Sequence, residues 1–567
     1  MRNAMLRGFT VGALTIGIGT MPALAAEPEQ EHLSTYVLDD IIVTASRSDT
    51  AISDVPADVT LISEAQIARG NYKSVSEALK GANINVVQKG FATYPVINGD
   101  TRVLVMVDGK KMNWDHLMVS GDDNAIDVDQ IAIGDVERIE IVRGPNSSLY
   151  GERAVSGVVN IITKRAPTGD ITGSVNLRYG TWNDRRLGIT AGGGDAKNRI
   201  KVGYANEKRK NYDYKNSDGD KLEFPDSFRD RKDYTLGFEH KLGDDRIVLD
   251  FSRNESRDGF GIYLTDPKAG IAYGAGMKSR QTNTTYGVTY HFGVEKEGEG
   301  TFLRYYRKTA EANSPFAGTP YTHDLDRDTI EGQKLWVLND KNMLIGGFLW
   351  AQEKIHESSG NVPMDVSAVT KALFMEDDWQ LGRGYSIKLG SRLEHHNDFG
   401  TDVTSHISLN KKLNRGTHAY ISFGQAVNNP SLKMRYADSP YWVGREDLKQ
   451  ERSHTFTIGA DSQITRKWSV SGSLYWSKVK DALRWVNGYT DPMTLVYVRG
   501  YYKNVQTEDR RGLELSARYR ADNRWTVRTA YSYAHVDSTD PAKGFLSTNT
   551  RPNGYNLGLS YTQGKWD

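Results

Sequence analysis

Few residues of this chain stand in a pattern that makes or breaks bonds. Glu394-His395-His396 places two imidazoles beside a carboxylate, but adjacent strand residues point to opposite faces and cannot easily chelate together. Asn216, Asp218 and Asp220 have calcium-loop spacing, yet Ser227 stands where a bidentate glutamate would close the site. No His-Glu-x-x-His pair, Gly-Lys-Ser/Thr phosphate loop or Gly-x-Ser-x-Gly elbow occurs. The absence of cysteine removes disulfides, thiolate metal sites and cysteine nucleophiles. The reading is therefore of a protein that is not an enzyme and has no cofactor or resident metal. Binding chemistry is what remains. Arg435, Tyr436, Tyr441, Trp442 and Arg445 share one long polar segment, and Tyr94, Trp114 and His116 lie in two earlier inter-strand segments rich in aromatic and polar groups. Aromatic faces and guanidinium forks suit an aromatic, anionic complex. Taken singly, each residue fits a solvated loop or a lipid-border aromatic equally well.

The elements that must position these residues fall into two kinds. Residues 48–165 read as a compact α+β domain. Val59-Thr60-Leu61-Ile62 predicts a strand, Ser63 caps a short helix through Arg69, and Ser74 or Ser76 starts another ending near Gly81. Continuous apolar runs at 103–107, 139–142 and 158–162 predict strands buried on both faces, with turns at Asp108-Gly109 and Gly144-Pro145. From residue 170 onward the period changes to two, as in Arg199 to Tyr204, Tyr286 to Tyr290 and Trp525 to Tyr533. Alternating segments separated by short turns on one side and long polar loops on the other are the mark of a transmembrane β-barrel. Long loops are expected at 206–233, 253–281, 310–327 and 428–452.

Composition agrees with that division. Tyrosine, at 30 residues, outnumbers phenylalanine, at 16, and there are 55 glycines in a chain of polar average hydropathy. This mix suits many strands whose tyrosines sit at water-facing borders. No helix-type spanning stretch occurs after residue 26, which excludes a helical inner-membrane protein. With 72 basic against 71 acidic residues, nothing pulls the chain toward nucleic acid. Arg2 and Arg7, an apolar run from Phe9 to Ile18, and Ala23-Leu24-Ala25 together read as a signal peptide over 1–25. A polar arm over 26–47 follows, carrying the β-prone run Asp39-Asp40-Ile41-Ile42-Val43-Thr44-Ala45. An apolar strand just after an exported arm is an aggregation hazard unless a partner pairs with its backbone.

Several runs resemble the TonB-dependent receptor family. Residues 39–45 resemble its TonB box, and Val136 to Pro145, Ser148-Leu149-Tyr150-Gly151 and Gly157 to Thr163 resemble the closing strands of its plug. Ala372 to Trp379, Phe423 to Ala426, Leu448 to Ser453, Tyr502 to Val505 and Arg511 to Glu514 carry the likeness to the end of the chain. The resemblance implies an all-β transmembrane barrel of about 22 strands over 170–567, with the α+β plug of 48–165 in its lumen. It implies a place in the outer-membrane lipid, TonB and its inner-membrane motor proteins as partners, and TonB pairing at Asp39, Asp40, Ile41, Ile42, Val43, Thr44 and Ala45. The span from 170 looks several strands short, and the chain ends Lys565-Trp566-Asp567 without a final aromatic residue. An incomplete C-terminus with an open seam beside the first barrel strand is thus expected. Ile97-Asn98-Gly99 stands where the family often carries an Arg-Gly pair, which weakens the case for a plug-to-barrel ion pair there.

For cargo the resemblance implies active uptake of a ferric siderophore, bound by Tyr94, Trp114, His116, Arg435, Tyr436, Tyr441, Trp442 and Arg445. Haem is the near alternative. Haem receptors of the family carry a plug histidine after the Asp-Gly turn, matched by His116, and a second in a barrel loop. No histidine lies between Phe423 and Leu448; Tyr436 or Tyr441 is the available substitute, and His454 sits beyond that loop. Cobalamin has only the imperfect calcium-like loop in its favour. A passive porin or an adhesin needs neither the plug domain nor the partner-binding strand.

Overall fold

The computed structural model describes residues 41–42, 50–51, 58–89, 92–113, 126–215, 218–224, 226–260, 277–294, 298–314, 322–358, 362–414, 416–440, 442–494, 496–538 and 553–561. The segment read as a signal peptide and most of the arm behind it lie outside the described residues.

The plug is built on a five-stranded sheet in the order Val59–Ser63, Val136–Arg143, Gly157–Thr163, Val103–Val107 and Lys110–Lys111. Its inner strands are apolar on both faces because both are covered: Val105, Ile139, Ile141, Val159 and Ile161 are fully buried. The helix Glu64–Arg69 starts where the sequence places it, with Ser63 and Gln66 forming a capping box. Ser74 caps Val75–Gly81, whose Val75, Ala78 and Leu79 join the same core as the sheet. The turn after Val107 puts Asp108 and Gly109 at positive φ, 50° and 74°, which an aspartate-glycine pair tolerates.

Around the plug, eighteen strands from Gly169–Gly180 to Asn553–Tyr561 form one antiparallel sheet in chain order. Side chains alternate in the opposite sense to a soluble protein. In Phe302–Asn313, Leu303 and Tyr305 face outward while Tyr306, Lys308, Ala310 and Ala312 are buried inside. An apolar exterior with charged groups inside is the arrangement lipid requires. Trp468 against Tyr519 and Trp525 against Tyr561, each with ring centroids 4.6 Å apart, lie at the short-turn end and form part of an interfacial aromatic belt.

Among the described residues the sheet has eighteen strands, fewer than the about 22 that the family resemblance implies. Among the described residues no ladder joins the first strand to the last. Outward apolar side chains on these end strands are correspondingly bare: Leu177 is 76 % exposed and Leu557 79 %, against 43 % for Leu236 within the sheet.

Strands run further than the sequence suggests. The expected loop 206–233 is strand up to Arg209 and again from Arg229, and the loop 253–281 is strand up to Phe260 and from Met277. Beyond the lipid both faces of a strand are wetted, so the alternation that betrays it fades. The plug touches the barrel all round. Its short helix Ser147–Tyr150 packs against the four strands from Met364–Gly382 to Thr417–Asn428.

Candidate functional site

Three places carry the chemistry: the outer loop cluster, the plug–barrel contacts and the N-terminal strand. The segment between Asn428 and Glu451 folds inward rather than standing in solvent. Ser431 accepts a hydrogen bond from the Met434 backbone N–H (3.2 Å) and starts the short helix Leu432–Tyr436. Leu432 and Ala437 pack with Ala310, Leu325, Ile355, Met364 and Ala368, and Met434 packs with Leu448, Leu483 and Tyr502. Arg435 is buried, pairs with Asp398, and lies over the rings of Phe399 (4.9 Å) and Tyr436 (4.7 Å). Trp442 meets Trp485 edge-on at 6.0 Å and Tyr502 at 6.5 Å. Arg445 is more open, donates to Asp447 and sits 5.5 Å over Tyr501. Arg435, Tyr436, Trp442 and Arg445 are thus held on one aromatic platform. The base of the segment reaches the plug, where Asn429 donates to Glu152 (2.8 Å) and Lys111 pairs with the same carboxylate (2.6 Å).

The other residues named from sequence are not brought to this platform. Tyr94 is 2 % exposed in the hairpin Asn85–Lys89/Ala92–Val96, opposite Val87. Strand pairing turns its ring inward, so in this form it has no surface to offer a ligand, contrary to expectation. Trp114, His116 and Tyr441 lie outside the described residues. The two histidines His395 and His396 do face opposite ways, one exposed and one buried.

The plug is tied to the barrel by charge. Asn98 is not the tie; Arg102 is. Its guanidinium bonds Glu451 (2.6 Å) and Asp100 (2.7 Å) and approaches Glu508 (3.3 Å). Arg510 donates to the Gly99 carbonyl (2.7 Å) and approaches Asp100 (3.3 Å), and both Arg510 and Arg484 pair with Glu508. Burial raises the Asp100 pKa, but Arg102 and Arg510 outweigh it and hold the carboxyl well below the usual carboxylate range. Sequence reasoning missed this network because Glu451 stands 349 residues from Arg102. The available signals were Arg102 at the head of an apolar strand and Glu451 inside a family motif.

A second set of ties runs along the opposite wall of the lumen. Asp127 pairs with Arg231 (2.7 Å), which also pairs with Asp258 (2.5 Å) and donates to the Asp129 carbonyl (3.0 Å). Gln130 exchanges hydrogen bonds with Gln281 (3.4 Å) and Asn283 (3.2 Å), and Asp135 pairs with Lys201 (2.9 Å). Here burial wins: it pushes Asp127 up to about 6 despite Arg231. Behind these ties lies a cavity of about 320 Å³ between plug and barrel.

At the N-terminus Ile41–Ile42 pairs antiparallel with Thr50–Ala51, Ile41 opposite Ala51 and Ile42 opposite Thr50. A strand has two edges, so this pairing occupies one and leaves the geometry of a second. Asp39, Asp40, Val43, Thr44 and Ala45 lie outside the described residues.

Comparison with known proteins matches the chain to two families. The TonB dependent receptor-like β-barrel matches residues 163–567, and the TonB-dependent receptor plug domain matches 51–158. The "Vitamin B12 transporter BtuB" of Vibrio cholerae is 24% identical over 458 residues, 77% of this chain and 70% of that protein. The "Iron-regulated outer membrane virulence protein" of Vibrio cholerae is 24% identical over 417 residues, 70% of this chain and 60% of that protein. Among solved structures, the siderophore receptor PirA from Pseudomonas aeruginosa superposes with a TM-score of 0.67 at 18% identity, covering 85% of each chain.

Proposed function

Because the chain belongs to the TonB-dependent receptor family of the outer membrane, we propose that it takes up a ferric siderophore actively, through a plug moved by TonB pairing at residues 39–45. The observation that carries this reading is the platform of Arg435, Tyr436, Trp442 and Arg445, linked through Asn429 and Glu152 to a plug that fills the lumen. Guanidinium groups beside edge-packed aromatic rings favour a ligand that is both aromatic and anionic, as a ferric catecholate is. A filled lumen needs work to open it, and the outer membrane holds no nucleotide to supply it. Backbone pairing with an edge strand suits pulling, since it depends little on side-chain identity. The leading segment 1–25 is the export signal in this reading, followed by the arm 26–47, the plug 48–165 and the barrel from 170. The protein transports and performs no catalysis.

Cobalamin is the second reading, favoured by the likeness to a vitamin B12 transporter. Haem rests on His116 alone. Titration of the purified receptor with a ferric triscatecholate, haemin and cyanocobalamin separates the three. The expected result is saturable binding of the catecholate that Arg435→Ala weakens. A Soret shift removed by His116→Ala, or binding of cyanocobalamin alone, would replace the siderophore with that ligand.

A further inference from the structure

Charge is spread unevenly over the outer surface of the barrel. Cross-strand register fixes which side chains stand together on that surface. Over Asn198–Arg209, Arg229–Leu242, Asp245–Phe260 and Met277–His291, one outward row is Val202, Leu236, Phe251 and Tyr286. The next row toward the long loops is Tyr204, Tyr234, Arg253 and Thr284, with the two tyrosine rings 5.4 Å apart. Two rows further on, Lys208, Asp230, Arg257 and Arg280 stand side by side. Arg257 and Arg280 are exposed, while their strand neighbours Ser256, Asp258, Ser279 and Gln281 are buried inside, so both guanidiniums point away from the lumen.

The carboxylates on this face have partners of their own. Lys208 pairs with Asp230 (3.2 Å), Arg253 with Glu255 (2.9 Å) and Lys278 with Asp226 (3.4 Å). Among the described residues no ion pair takes up Lys232, Arg257 or Arg280. Arg257 lies directly opposite Arg280, and like charges so placed repel unless an anion sits between them. On the following strands, Phe302–Asn313, Thr322–Asn339 and Asn342–Glu357, the sign reverses. Glu311, Asp324, Asp326 and Asp328 face outward there, and Arg307 is already paired with Asp326 (3.1 Å) and Asp328 (2.9 Å). A rim that only kept strand ends in water would have no reason to divide its charge in this way.

We propose that this face holds a phosphorylated glycolipid of the outer leaflet, the side of the membrane on which the long loops lie. Its acyl chains run along Val202, Leu236 and Phe251, its sugar covers the Tyr204–Tyr234 pair, and a phosphate sits between Arg257 and Arg280, whose guanidinium forks match phosphate oxygens. Arg257 stands four residues beyond Arg253 on one strand, about 13 Å along it and roughly 10 Å in height once the strand tilt is allowed for. A simple phospholipid carries its phosphate next to its acyl chains, so a saccharide is needed to span that gap. The inference goes beyond the uptake reading and rests on outer-membrane placement alone, not on the identity of the cargo.

The test takes the whole receptor, purified and stripped of lipid in detergent. It is titrated with bisphosphorylated lipid A, with the same lipid after phosphatase treatment, and with phosphatidylglycerol, and bound lipid is counted by native mass spectrometry. Saturable binding of bisphosphorylated lipid A is expected, weakened about ten-fold or more in the double variant Arg257→Gln/Arg280→Gln and unchanged by Lys354→Gln on the acidic side. In lipid-free detergent the double variant should melt no lower than wild type, because the two arginines repel each other, and added lipid A should raise the melting midpoint of wild type alone. A lower midpoint for the lipid-free double variant would make the arginines structural and would overturn the proposal. Equal binding of the dephosphorylated lipid, or an equal loss with Lys354→Gln, would overturn it too. Phosphatidylglycerol bound as tightly as lipid A would replace the glycolipid with any anionic lipid and sink the assignment made here.

Discussion

Two walls of one barrel hold the same plug by different physics. On the side of Glu451–Gln463, Trp468–Val486 and Tyr501–Arg520, contact is tight and ionic. Asp100 there is kept charged by two guanidiniums. Across the lumen, Asp127 is buried beside Arg231 yet rises to about 6, and a cavity lies behind it. One aspartate is buried with enough positive charge around it and the other without. Both walls are thus held by buried ion pairs, and they differ in how far burial is compensated at the plug's aspartate.

The largest expected effect comes from breaking the anchor. Arg102→Ala leaves Asp100, Glu451 and Glu508 with less compensating charge in a buried site, where losing one partner costs about 3–5 kcal/mol. Thermal unfolding in detergent should show a marked fall, and limited proteolysis should cut the plug faster. An unchanged melting profile would mean the two walls grip equally.

Glycine substitutions sharpen the contrast. Gly424→Ala drives a methyl to 2.6 Å from Pro145 and should destabilise by about 1–3 kcal/mol through overpacking. Gly237→Ala meets nothing nearer than 3.9 Å and should be neutral or stabilising by up to about 1 kcal/mol. Equal melting shifts for the two would contradict the difference in packing.

Acid should also tell the walls apart. Asp127 has a folded-state pKa of about 6, above the ordinary 3.8, so the folded protein holds this proton more tightly than the unfolded chain. Its contribution to stability therefore grows as pH falls through about 6 and is lost as pH rises. Wild type should gain on Asp127→Asn by about 1–3 kcal/mol between neutral pH and about pH 5. Asp100 is shifted the other way, so its stabilisation is present above the ordinary carboxylate pKa and lost only below it. The cost of Asp100→Asn should then be flat over the same interval, and parallel pH profiles for the two variants would erase the distinction.

The smallest effect belongs to the ligand platform above the anchoring wall. Trp442→Ala removes the ring packed against Trp485 and Tyr502 and should weaken catecholate binding by about ten-fold, near 1.4 kcal/mol, without loosening the plug. Unchanged affinity would move the ligand site elsewhere.

Local pattern made much of this fold legible. The capping serines, the doubly buried plug strands and the two-residue beat of the barrel each depend on neighbours in sequence, and the structure has them where expected. What escaped depends on distant partners. Arg102 has meaning only beside Glu451 and Glu508, and the inward fold of Leu432–Tyr436 depends on apolar residues as distant in sequence as Ala310 and Leu325. Tyr94 reads as an exposed aromatic until its strand pairing decides which face it occupies. Strand ends above the lipid read as loops because both of their faces are polar.

Deleting residues 39–45 and following a radiolabelled ferric triscatecholate in whole cells tests the central claim most directly. The expected result is that the deleted receptor binds the complex at the cell surface as the intact one does but takes none of it in, matching intact cells whose proton gradient has been collapsed. Uptake that continued unchanged after the deletion would contradict a plug driven from its N-terminal strand.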